Sequence, residues 1–117
     1  MSYQKYKGKE KYHFRYYRRT QNHPFLVVLV TKEHGDGEKY LISGFKMTSS
    51  TSLFQRRPSR YIKLDINPDP NSTANSYVNI DLVEHKPAKH FTRPIRGWTL
   101  SKEDQNKIDN LLAQKKK

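Results

Sequence analysis

Three residues of this chain have side chains suited to working together on one substrate group: His23, Thr48 and Ser49. All three fall in the stretch 22–52, NHPFLVVLV, TKEHGDGEKY and LISGFKMTSSTS, which reads as a buried strand, a tight turn, a returning strand and a hydroxyl-rich polar loop. His23-Pro24 opens the first strand and Thr48-Ser49 follows the second. In an antiparallel hairpin those outer ends lie side by side, so a histidine and two hydroxyls meet there. Imidazole exchanges protons near neutral pH, and hydroxyls both donate to and accept from anionic oxygens. A histidine at the start of a strand can equally do no more than hydrogen-bond a neighbouring backbone group, and both readings stand at this point.

The surrounding elements must hold these groups in place. Phe25 to Val30 (FLVVLV) is β-branched and wholly apolar, and is expected as a strand buried on both faces. Pro24 suits the first position of that strand, where its missing donor is not needed. Glu33 to Glu38 (EHGDGE) is a hairpin turn with an exposed His34, and Lys39 to Met47 returns with Gly44 as a bulge or a point of close approach. TSSTS, Leu53-Phe54 and the basic QRRPSR form a long polar loop, a kind of insertion that is usually functional. Tyr61 to Ile66 alternates, with Ile62, Leu64 and Ile66 on one face, as a half-buried strand does.

NPDPNSTAN (67–75) is a breaker-rich loop, and Ser76 to Val83 is a strand with Tyr77, Asn79 and Asp81 opposed to Val78, Ile80 and Leu82. EHKPAKHFTRPIRG reads as irregular, pinned to the core by Trp98 and Leu100. Ser101 caps a final helix, acidic in its first turn, whose Ile108, Leu111 and Leu112 share a face. At the other end, residues 1–10 are expected as a flexible basic arm. KYHFRYYR then reads as a short strand with Tyr12, Phe14 and Tyr16 on one face and His13, Arg15 and Tyr17 on the other. Arg15 and Tyr17 would offer a cation and a ring to single-stranded bases, unless this is simply an ordinary edge strand. The whole reads as one domain over 11–114 with a frayed tail at 115–117: a mainly β, strongly bent antiparallel sheet or small barrel closed by a C-terminal helix.

Charge narrows the class of partner. The net charge is +12, with seven Lys or Arg against Glu10 alone in the first twenty residues, and such a balance interleaved with tyrosines favours nucleic acid over mere solubility. There is no cysteine, so disulfides and thiolate metal sites are excluded. No apolar run has membrane-spanning length and no signal peptide precedes the basic start, so a cytoplasmic location without membrane attachment is expected.

The order of elements resembles the PemK/MazF/Kid family of toxin endoribonucleases. Residues His23-Pro24-Phe25-Leu26-Val27-Val28 are similar to its strand-opening motif and Lys46-Met47-Thr48-Ser49 to its Thr-Ser signature. Ser76 to Asp81 and Gly97-Trp98-Thr99-Leu100-Ser101 match its later strand and the approach to its closing helix. The resemblance covers residues 22–114 and departs from the family pattern in three places. His23 stands where the family has Arg, the Thr-Ser pair lacks its preceding Pro, and the opening strand is replaced by the tyrosine-rich segment.

The resemblance implies a barrel of the Src-homology-3-like kind and metal-independent, sequence-specific cleavage of mRNA without a cofactor. In that chemistry the substrate's 2′-OH attacks the adjacent phosphorus, leaving a 2′,3′-cyclic phosphate and a 5′-OH. It also implies a cognate protein or RNA antitoxin, with a two-fold homodimer as the default assembly. On this reading His23 takes the acid/base place, Thr48 and Ser49 hold the scissile phosphate, and Asp81 supplies a site carboxylate. Lys46, Asn79, Arg56 and Arg57, with Arg15 and Tyr17, contact RNA. A salt bridge to a nearby cation is the plain alternative for Asp81. A non-catalytic RNA- or DNA-binding small barrel fits charge and topology equally well. A gyrase-poisoning barrel of the CcdB kind fits less, because the terminal AQKKK lacks that family's ending, and scattered acidic residues disfavour a metal-dependent nuclease.

Overall fold

The computed structural model describes residues 3–5, 12–33 and 39–115. Its elements are β1 (Tyr3–Lys5), β2 (His13–Tyr17), β3 (His23–Glu33), β4 (Lys39–Thr48), α1 (Thr51–Arg56), β5 (Tyr61–Lys63), β6 (Tyr77–Pro87) and α2 (Lys102–Lys115). The strands form one antiparallel sheet in the order β1-β3-β4-β6-β5, with β2 also on β3. β2 runs along His23 to Val27 and β1 along Thr31 to Glu33, so the two share the outer edge of β3. The fold is therefore mainly β with a C-terminal helix, as expected.

The sheet is not closed by a ladder. Instead the chain after β6 crosses over to the free edge of β2, where Thr92 N–H donates to the Tyr16 carbonyl (3.0 Å) and Ile95 N–H to that of Phe14 (2.7 Å). At its far end Thr99 N–H donates to the Pro68 carbonyl in the loop beyond β5 (3.4 Å). This strap links the two sides of the sheet and makes the fold barrel-like. Trp98 pins it, packed on Phe14 and Tyr16 with ring centroids 5.7 and 6.0 Å away, and Leu100 is buried.

The apolar run of β3 fills a core on each face, as its composition predicts. Leu26, with Phe14, Phe45, Met47 and Val78, packs under Ile108 and Leu111 of α2. Phe25 and Val27 point the other way, to Tyr17, Ile42 and Phe91. A bulge between Val27 and Leu29 shifts the alternation by one residue, so even-numbered Val30 rejoins the odd-numbered Phe25 and Val27. Side chains buried this fully contribute about 1.5–3 kcal/mol each, which lets a chain with a 33% hydrophobic content sustain a fold. Gly44 is both things expected of it. It sits at a register shift against β6, and a Cβ there would lie 2.0 Å from the Leu26 carbonyl oxygen and 2.7 Å from the Phe25 ring.

Several expectations change. The hydroxyl-rich loop contains a helix, because Ser50 extends into a cap and its Oγ accepts from Leu53 N–H (3.3 Å). β5 ends at Lys63 and Ile66 is 61% exposed, because the buried Asp104 carboxylate of α2 accepts from Asp65 N–H (2.9 and 3.1 Å) and Ile66 N–H (3.2 Å) and draws the chain out of the sheet. β6 runs on to Pro87 past a bulge in which His85 adopts φ 53° and its N–H donates to Ser43 Oγ (2.9 Å). Within the expected arm, Tyr3–Lys5 pair with β3; its remaining residues, the turn at 34–38 with His34, and the last two residues lie outside the described set.

Candidate functional site

The β3–β4 register explains the site. Phe25 pairs with Lys46, so the same register carried two residues outward sets His23 opposite Thr48. On either side, Tyr17 pairs with His23 and Thr48 with Tyr77, which brings the starts of β3 and β6 and the end of β4 to one rim of the sheet. An open pocket of about 190 Å³ lies at this rim. His23, Pro24, Met47, Thr48 and Ser49 line it from the hairpin, Asn67, Asp69, Ser72 and Ser76 from the loop before β6, and Trp98 from the strap.

The loop wall is built by its own side chains. Asn67 Oδ1 accepts from Asp69 N–H (2.9 Å), while its Nδ2 donates to Ser72 Oγ (3.3 Å) and to the Ala74 carbonyl (3.0 Å). Asp69 Oδ1 accepts from Asn71 N–H (2.9 Å). Asn and Asp at alternate positions, held apart by prolines, favour such Asx turns. Thr48 Oγ1 likewise accepts from Ser50 N–H (3.1 Å), at the approach to α1.

The groups lining the pocket thus divide in two. Asn67, Ser72, Thr48 and one oxygen of Asp69 hold the walls. The side chains of His23, Ser49 and Ser76 and the second Asp69 oxygen make no hydrogen bond among the described residues. A proton-exchanging imidazole, a carboxylate and hydroxyls beside an aromatic ring suit a phosphate ester carrying a base. Among the described residues no three histidine or carboxylate side chains gather as a metal site requires.

Of the expected site residues, His23, Thr48 and Ser49 share the pocket, and the others stand elsewhere. Asp81 is exposed on β6 and pairs with Arg60 at 3.4 Å, each side chain more than half exposed, so it meets the plain salt-bridge reading and does not line the pocket. Asn79 accepts from Asp81 N–H (2.8 Å). Lys46 is exposed on β4, and Arg56 and Arg57 are exposed at the end of α1; none of the three lines the pocket.

Tyr17 is a correction. It is 5% exposed, stacked on Phe91 (centroids 4.5 Å apart, planes at 9°) and set edge-on to Phe25, so its ring is core and unavailable to a base. Arg15 is also committed, its Nε donating to His13 Nε2 (2.9 Å) and its guanidinium to the Thr92 carbonyl (3.3 Å). Both follow from the strap, which covers an edge that β2 alone would leave open. Sequence reasoning missed Asp69, Asn67, Ser72 and Ser76. The available signal was the Asn-Pro-Asp-Pro-Asn spacing, which marks a structured loop as well as a break.

Comparison of the chain with models of known protein families, with curated proteins and with solved structures finds no match in any of the three.

Proposed function

We propose that this chain is an endoribonuclease that cleaves single-stranded RNA through the substrate's own 2′-OH. The carrying observation is the rim pocket, where the side chains of His23 and Ser49 and one Asp69 oxygen make no hydrogen bond among the described residues. The 2′-OH attacks phosphorus and the P–O5′ bond breaks, so one proton must leave the 2′-oxygen and one must reach the 5′-oxygen. His23 and Asp69 are the two pocket groups able to exchange them. Asp69 takes the carboxylate place that the family resemblance would give to Asp81. Ser49 and the Thr48 hydroxyl donate to the phosphate oxygens as charge builds on them, and Trp98 offers a face for a neighbouring base. The net charge of +12 favours an RNA ligand. Resemblance to the PemK/MazF/Kid family supports a role as the toxin of a toxin–antitoxin pair, with mRNA as substrate and a protein or RNA antitoxin as partner.

Removing a positioned acid or base costs about 10²–10⁴ in rate. His23→Ala and Asp69→Asn should therefore each lose at least about 10²-fold in cleavage of labelled single-stranded RNA, with RNA affinity held within a few-fold. Cleavage at the parental rate by both variants contradicts the assignment. Salt-dependent binding by a parental protein that leaves RNA intact makes the chain a binder and not an enzyme.

A further inference from the structure

Away from the pocket, two basic turns lie side by side. The antiparallel bridge between Tyr17 and Phe91 sets the single helical turn Arg18–Thr20 against the turn Ala88–His90, with Lys86 just before it at the end of β6. Arg18, Arg19, Lys86 and Lys89 are all exposed. Two cations elsewhere do have acidic partners, Arg60 with Asp81 and Lys107 with Asp65 and Asp104. Among the described residues Arg19, Lys86 and Lys89 have no acidic partner. His90 sits among them with a buried Nδ1 that has no hydrogen-bond partner. Burial, and then the charges of Arg19, Lys89 and Lys86, hold its imidazole below the ordinary histidine range.

Like charges gathered without a counter-ion are unfavourable unless a ligand supplies one. The turn carrying Arg18 and Arg19 also runs through left-handed Gln21 (φ 58°) and Asn22 (φ 61°) directly into His23, so the cluster leads along the chain to the pocket. Bidentate arginine and point-charge lysine are the usual pair for phosphodiesters.

We propose that these two turns form a second anion site, which holds backbone phosphates of the single-stranded RNA whose scissile bond enters the pocket. The proposal rests on the RNA reading of the chain but concerns binding, so it is tested without cleavage, using a 2′-O-methylated oligoribonucleotide that cannot supply the attacking hydroxyl. The triple variant Arg19→Gln, Lys86→Gln, Lys89→Gln should weaken binding about tenfold or more and make the plot of log affinity against log salt shallower by about 2, as three contacts on a single strand require. In the parental protein, bound oligonucleotide should raise the His90 pKa followed by NMR by about one unit. Unchanged affinity and slope in the variant, or an unmoved His90, overturns the site. An equal response to polyglutamate at matched charge assigns the cluster to acidic proteins and overturns the RNA assignment. His23→Ala should keep both responses, so failure of the catalytic reading and failure of this one are distinguishable.

Discussion

At His13, Nε2 accepts from Arg15 Nε at 2.9 Å, and burial, with the Arg15 charge second, pushes the imidazole down to about 4. The ring can accept that bond only while Nε2 carries no proton, so acid removes it. A base whose pKa is lower folded than unfolded takes up protons preferentially in the unfolded chain. Its stabilising contribution is thus full above the ordinary value of 6.5 and is lost as pH falls from there toward about 4. The ring is only partly buried, so solvent screening limits the effect to on the order of 1 kcal/mol. Denaturant melts at pH 7.5 and 4.5 should show His13→Gln losing less stability on acidification than the parental protein by about that amount. An equal loss in both proteins removes His13 from the account. Residues such as this resist reading from a one-dimensional pattern. His13, Arg15 and Tyr17 alternate as a solvent-facing set, but the strap that covers them comes from residues 91–99, more than seventy positions away.

Among the elements, α2 is tied down by its first turn. Ser101 Oγ accepts from Asp104 N–H (3.2 Å), and the fully buried Asp104 carboxylate accepts backbone N–H groups of Asp65 and Ile66 while Lys107 approaches at 3.4 Å. Asp104→Ala strips the partners from these buried donors and should cost about 3 kcal/mol, read as a shift of the denaturation midpoint. A loss below about 0.5 kcal/mol would show that water satisfies them. Gly44→Ala should cost about 3 kcal/mol or more, because the contact is with the backbone of β3, which cannot swing aside as a flexible side chain does. A parental midpoint for this variant would mean that β3 and β4 separate easily.

These elements also mark where pattern reading works. The β3 run, the Gly44 approach, the Ser101 cap and the Ile108–Leu111 face are local signals, and each appears where the residues place it. The early end of β5 and the exposure of Ile66 were not legible, because a carboxylate thirty-eight residues later decides them.

On the scale of the whole molecule, the pocket draws on the hairpin, the loop at 67–76 and the strap, which the fold joins at one rim of the sheet. Half of the candidate site was legible, because His23 and Thr48-Ser49 are related by hairpin register alone. Asp69 and Trp98 were not legible as site residues, since their places depend on the crossover that brings Thr99 to Pro68. The basic turns meet at the Tyr17–Phe91 bridge and contribute nothing to the pocket lining, so binding and cleavage should respond to different substitutions.

The central claim, cleavage through the 2′-OH at this rim, is tested most directly by the ends it leaves. Parental protein with single-stranded RNA in excess EDTA should yield fragments bearing 2′,3′-cyclic phosphate and 5′-OH, and a single 2′-deoxy substitution at the cleaved nucleotide should abolish cutting there. Cutting that persists at the deoxy position, or fragments bearing 5′-phosphate, would contradict the account.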